Sequence, residues 1–187
     1  MKRIFTILSA VALLVGMSAC VTTGKTPAQK RESVQTMRTD ALTELFKMKP
    51  DVRAQIKSAA GYAVFSNANI NLIFASFGAG YGVAKNNTTG KYTYMNMGEV
   101  GLGIGAGVKD FRIVFVFHTA DSLSRFINKG WAFGVQADAA AKGGKKGVAV
   151  GGEATVDNTS IYQMTVTGLA LQATVKGTKF WRNTDLN

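Results

Sequence analysis

Two runs of alternating glycines constrain this chain more than any other feature. Residues 98–110 read GEVGLGIGAGVKD, with Gly101, Gly103, Gly105 and Gly107 each two positions apart. Residues 77–84 read FGAGYGVA and repeat the device with Gly78, Gly80 and Gly82. Successive side chains on a strand point to opposite faces, so a period of two belongs to β structure. Each ladder therefore predicts a strand with one bare face. Leu102, Ile104, Ala106 and Val108 line the other face of the first, and Phe77, Ala79, Tyr81 and Val83 that of the second. A dinucleotide loop requires G-x-G-x-x-G between a strand and a helix. Gly101 and Gly103 fit, but Ala106 stands where the last glycine belongs and another apolar run follows. Bare strand faces imply close approach by something else. That is a packed helix, a tight corner of a small barrel, or a groove for an acyl chain along the seven ladder glycines.

The segments around the ladders set the fold class. Over residues 28–48, Val34, Met37, Ala41, Leu45 and Met48 recur at three and four, which predicts an amphipathic helix. Pro50 stops it, Asp51 is placed to cap a short helix carrying Val52 and Ile56, and Gly61 is placed to end that one. From Gly61 onward the pattern is β-like. KNNTTGK (85–91) has the chemistry of a hairpin loop and FRIVFVF (111–117) reads as a buried strand. HTADSLSRFINKG returns to helix, with Thr119 as cap, Leu123, Phe126 and Ile127 as stripe and Gly130 as stop. About eight short strands without alternating helices predict an α+β fold. It is a mostly antiparallel β sandwich or barrel with an N-terminal amphipathic helix and one inserted helix.

The first residues read as a targeting segment. Lys2 and Arg3 precede an apolar run, Ile4 to Val15, too short to span a membrane. Met17-Ser18-Ala19-Cys20 resembles a bacterial lipobox, whose cysteine becomes the lipid-modified first residue. Cys20 is the only cysteine, so no internal disulfide competes for it. The expected organisation is a signal peptide over 1–19, a lipid-anchored tether over 20–27 and a single domain over 28–187. Val21 rather than Asp follows the cysteine, which by resemblance to sorted lipoproteins implies the outer membrane, facing the periplasm. The net charge is +11, and cleavage after residue 19 removes Lys2 and Arg3 and leaves +9. Such a charge favours acidic partners.

Catalytic signals are weak. The one histidine, His118, ends an apolar strand, and no G-x-S-x-G elbow accompanies it. Metal ligands do not cluster, so neither metal nor cofactor is expected. AKGGKKG (141–147) lacks the P-loop spacing and reads as a basic hairpin tip. Its Lys142, Lys145 and Lys146, with Lys176, Lys179 and Arg182, are the candidate contacts to anionic lipid. Lys176 and Lys179 are three apart on one expected strand, so they face opposite sides. A membrane-spanning barrel would not need the leading helix and anchor, and a secreted chain rarely meets nucleic acid.

Several separated blocks resemble one family in order and spacing. These are GYAVF (61–65), FGAGYGVA (77–84), IVFVFHTADSLSRFINKGWAFGVQADAA (113–140) and GLALQATVKGTKFW (168–181). Together they resemble the SYLF lipid-binding domain family, its bacterial lipoprotein branch in particular, over residues 34 to 182. The resemblance implies a lipid-binding module without enzyme activity. Eukaryotic relatives bind phosphoinositides and fungal ones bundle actin, a partner that a periplasmic chain would not meet. Ser66 stands where the family commonly has proline, and residues 67–70 lack a lysine common there. The expectation is an envelope lipoprotein whose domain binds anionic phospholipid or another membrane lipid. The alternative is a structural or interaction protein of the envelope with a protein partner.

Overall fold

The computed structural model describes residues 24–72, 75–102, 107–130, 132–133, 149–150, 153–165, 168–169 and 176–187. Helix α1 runs Pro27–Met48. Thr26 caps it: its hydroxyl accepts from the Gln29 amide while the Gln29 side chain accepts from the Thr26 amide, a reciprocal capping box with proline just inside. Val34, Met37, Ala41 and Leu45 of the predicted stripe are buried, and Met48 is partly so. Helix α2 follows at Val52–Ser58. Two expectations at its ends are corrected. The Asp51 carboxylate accepts from the Gln55 side chain instead of capping the backbone, and the helix ends at Ala59, leaving Gly61 as the first residue of a strand.

The described strands are β1 Gly61–Leu72, β2 Ala75–Asn86, β3 Tyr92–Leu102, β4 Gly107–Phe117, β5 Ala132–Phe133, β6 Ala149–Val150, β7 Glu153–Val156, β8 Thr159–Thr165, β9 Gly168–Leu169 and β10 Lys176–Arg182. Helix α3, Ala120–Lys129, is inserted after β4. These ten strands, against about eight expected, form one antiparallel sheet in the order β5-β10-β3-β2-β1-β4-β8-β7-β6, with β9 beside β8. The fold is α+β, and the described sheet is open, with helices covering its two faces. In the β2–β3 turn the Asn86 side-chain oxygen accepts from the Thr88 and Thr89 amides at 2.9 and 3.0 Å, and Gly90 takes φ 70°. The β7–β8 turn places Asp157 and Asn158 at φ 50° and 57°, the left-handed pair a tight hairpin requires.

Register assigns the faces. On one, Val64 of β1 lies between Val83 of β2 and Val114 of β4. Helices α1 and α2 pack here, and Leu45 and Val52 are fully buried against Tyr62, Val64, Val116 and Tyr162. The first helix is thus part of the core. On the other face Phe65, Gly82 and Met95 are aligned, and α3 lays Leu123 and Phe126 over them. Phe65, Phe115, Phe117, Phe126 and Phe180 make an aromatic cluster, with Phe65 and Phe180 4.7 Å apart and Phe117 and Phe126 4.9 Å apart. Such pairs add about 0.5–1.5 kcal/mol each beyond their buried area. Thr119 caps α3 through the Ser122 amide and Gly130 ends it at φ 68°, as the sequence predicts.

Candidate functional site

The glycine ladder of β2 is where the candidate groove can be inspected. Gly80 and Gly82 are buried. A Cβ added at Gly82 would meet the Val64 carbonyl and the Phe65 ring, whose Cγ would stand 2.7 Å away. One added at Gly80 would meet the Ser66 carbonyl and, at 3.1 Å, Asn67 Cα. The bare face of β2 is therefore filled by its own neighbour strand and by an aromatic ring at these positions. Gly78 is partly exposed at the far end. Of the other ladder, Gly101 is the penultimate residue of β3, opposite Ser76 and Lys176, and Gly107 begins β4 opposite Asn71. Gly103 and Gly105 lie outside the described residues.

The opposite face of the same strands carries the exposed feature. Beyond the cover of α1, Phe77, Val100 and Trp181 are 54%, 59% and 42% exposed, the large apolar side chains most open to solvent among the described residues. Register makes them neighbours. Phe77 is opposite Val100, Val100 opposite Gly177, and Lys179 opposite Gly98, with Trp181 two residues further on. The Trp181 ring lies where a Cβ on Gly98 would come within 3.1 Å of it, so the ring lies across the glycine. Exposed Ala79 completes the patch. Lys179 is exposed and has no ion-pair partner among the described residues. A flat apolar surface with an indole and an ammonium on one face suits the boundary between headgroups and acyl chains.

The N-terminal segment enters the fold beside this patch. The Arg31 side chain donates to the Leu186 carbonyl at 2.9 Å, and Asn183 donates to the Asn96 side chain at 2.9 Å, two residues beyond Trp181. The first turns of α1 thus lie over the C-terminal segment, on the face that carries the patch. Further along α1, Arg38 donates to the Tyr92 hydroxyl at 2.7 Å and to the Tyr62 hydroxyl at 3.2 Å. Burial pushes the Tyr62 phenol up from its ordinary value, with the Arg38 charge working against it. Gln35 donates to Tyr94 at 3.0 Å. These polar contacts fix the helix across β1 and β3.

The remaining candidates are dispersed. Lys142, Lys145 and Lys146 lie outside the described residues. Lys176 begins β10 opposite Gly101. Arg182 donates to the Ile127 carbonyl and, at 2.7 Å, to the Asn128 side chain, so it serves the end of α3 on the far side of the sheet from Lys179. His118 is exposed with a ring nitrogen 2.9 Å from the Ser160 hydroxyl. Buried Asn67 donates to buried Glu99 at 3.2 Å, a polar pair inside the α3 face that the sequence did not single out. The sequence also did not single out Phe77, Val100 and Trp181 as a surface feature. The signal was the alternation in Lys179-Phe180-Trp181, which puts Lys179 and Trp181 on one face and buried Phe180 on the other.

Residues 98–187 match the family described as Ysc84, Las17-binding protein actin regulator. A protein named Beta cell expansion factor A, from Aeromonas veronii, is 33% identical over 162 residues, which is 87% of this chain and 60% of the relative. Residues 98–187 thus match the SYLF domain, whose family is one of binding domains. The matched part begins within β3, whereas β1 and β2 lie between β3 and β4 in the sheet. The folded unit therefore includes the strands upstream of the match.

Proposed function

We propose that this chain is an envelope lipoprotein whose domain docks on an anionic membrane surface through the exposed end of its sheet. The observation that carries this reading is the single-faced grouping of Phe77, Val100 and Trp181 around Lys179, which has no ion-pair partner among the described residues. An indole and a phenyl ring entering the interface supply apolar burial, and each lysine near an anionic surface adds about 1 kcal/mol, screened by salt. Cys20 would be the lipidated residue and residues 20–27 the tether of a domain spanning 28–187. Six residue steps lead from Cys20 to Thr26, a reach of roughly 20 Å when extended. An anchor at that distance from α1 suits a patch on the same face. Residues 1–19 would be removed as a signal peptide, and the outer membrane facing the periplasm would be the location. Lys142, Lys145, Lys146 and Lys176 would add to the basic surface.

The test is flotation of residues 21–187, without acyl anchor, on phosphatidylglycerol or cardiolipin vesicles against phosphatidylcholine, at low and high salt. The reading predicts binding to anionic vesicles that weakens with salt. Lys179→Ala should weaken it about fivefold and Phe77→Ser with Trp181→Ser should abolish it. An unlipidated domain that floats with no vesicle contradicts the reading. The family's description as a Las17-binding protein would then favour a protein partner for the same patch.

A further inference from the structure

A second surface, on the α3 face, has a different chemistry. A cleft of about 180 Å³ runs between α3 and the β2–β3 turn, with Thr89, Lys91, Ser124, Asn128 and Arg182 among its walls. Its polar groups are arranged as donors. Thr89 Oγ1 accepts from the Lys91 amide, which leaves its hydroxyl hydrogen to donate. Ser124 Oγ accepts from Asn128 Nδ2 at 3.1 Å, which leaves its hydrogen likewise. Asn128 Oδ1 in turn accepts from Arg182 Nη2 at 2.7 Å, and Arg182 Nε donates to the Ile127 carbonyl at 3.2 Å. The guanidinium is thereby held from one side, and its Nη1 keeps its hydrogens for another acceptor.

Among the described residues no aspartate or glutamate lines this cleft. The carboxylates nearest on α3 and the β7–β8 turn, Asp121 and Asp157, are both engaged by Arg125, at 3.2 and 2.7 Å. Two cations, Lys91 and Arg182, therefore share a small concavity with two outward hydroxyl donors and no carboxylate from the described residues. A guanidinium fixed in advance loses little freedom on binding, and charge-assisted bonds to an oxyanion are the strong ones. We propose that this cleft binds a phosphomonoester group. Four donors from three segments converge there, and the cleft has room for one such group. Lys179 and Trp181 stand on the other face of the sheet, so the site is separate from the proposed membrane patch.

The phosphate could belong to a free small anion or to a lipid headgroup, and the experiment separates the two. The full chain in neutral detergent is titrated calorimetrically with inorganic phosphate, and separately with a short-chain phosphatidic acid below its micelle concentration. Both runs are compared with equal ionic strength of chloride. Parent, Lys91→Glu and Ser124→Ala chains are used, with far-UV circular dichroism confirming the fold. Lys91 lies in an exposed turn, and Ser124 is an exposed residue of α3, so these variants keep the core intact. Binding of either ligand, weakened about tenfold or more by Lys91→Glu and less by Ser124→Ala, supports the site. Inorganic phosphate alone would identify a free anion, and the lipid alone a headgroup. No heat from either ligand up to about 10 mM, or binding that Lys91→Glu leaves unchanged, overturns it.

Discussion

Replacing Gly82 by alanine asks directly whether the glycine ladder is a packing device. The new methyl would press on the Val64 carbonyl and on the Phe65 ring, with Cγ at 2.7 Å. Neither can retreat easily. Val64 lies within β1, paired with strands on both sides, and Phe65 is fully buried among Phe115, Phe126 and Phe180. Overpacking of this kind costs about 3 kcal/mol, the upper end of the usual range. Removing a glycine from a strand interior returns roughly 0.5–1 kcal/mol. The net loss is about 2 kcal/mol, or a melting temperature lower by roughly 4–8 °C for a chain of this size. Thermal and urea unfolding of residues 21–187 read it out. Gly177→Ala is the control: its methyl would meet only Val100, at 3.8 Å, so stability should be unchanged or slightly raised. A Gly82→Ala chain as stable as the parent would refute the packing account and reopen β2 as a groove wall.

Other outcomes follow from the same contacts. Leu45→Ala empties a fully buried site beneath α1 and should lower unfolding free energy by about 2–5 kcal/mol in urea titrations. The Tyr62 phenol is raised above its ordinary value of 10.0 in the folded chain, so the unfolded chain loses that proton first. Its stabilising contribution is complete below pH 10 and is lost as pH rises through the folded value. Urea midpoints should therefore fall in that alkaline range, and Tyr62→Phe should flatten the fall. Asn158→Ala should cost about 1–2 kcal/mol in the same assay, because alanine resists the left-handed conformation that the β7–β8 turn imposes.

Local rules carried far along this chain. The stripe Val34, Met37, Ala41, Leu45 and the Thr119–Gly130 frame of α3 are both in the structure. So are the hairpin at 85–91 and the strand at 111–117. Each depends on a period or a cap within a few residues. Asp51 and Gly61 misled because a cap residue has another use available: a carboxylate can take a side-chain donor, and a glycine can open a strand. Which face of a ladder is covered is a different matter. Phe65 fills the space over Gly82 because β1 and β2 pair in one register, and a sequence does not display that register. The same uncertainty hid the patch. Phe77 and Val100 have the composition of core, and only the placement of α1 across the nearer half of the sheet leaves them exposed. Charge alone selected Arg182 and Lys179 together, whereas alternation along β10 sends them to opposite faces.

The central claim is that the Phe77–Val100–Trp181 end enters a lipid surface. The measurement that meets it most directly is the fluorescence of Trp181 in a Trp131→Phe background, with phosphatidylglycerol vesicles containing brominated acyl chains. Residues 21–187 are used, so no anchor holds the protein to the membrane. Entry predicts a blue shift of the emission on adding vesicles and quenching by bromines placed near the headgroups. Emission that stays unshifted and unquenched while the protein floats with the vesicles would contradict the claim and place the membrane contact elsewhere on the domain.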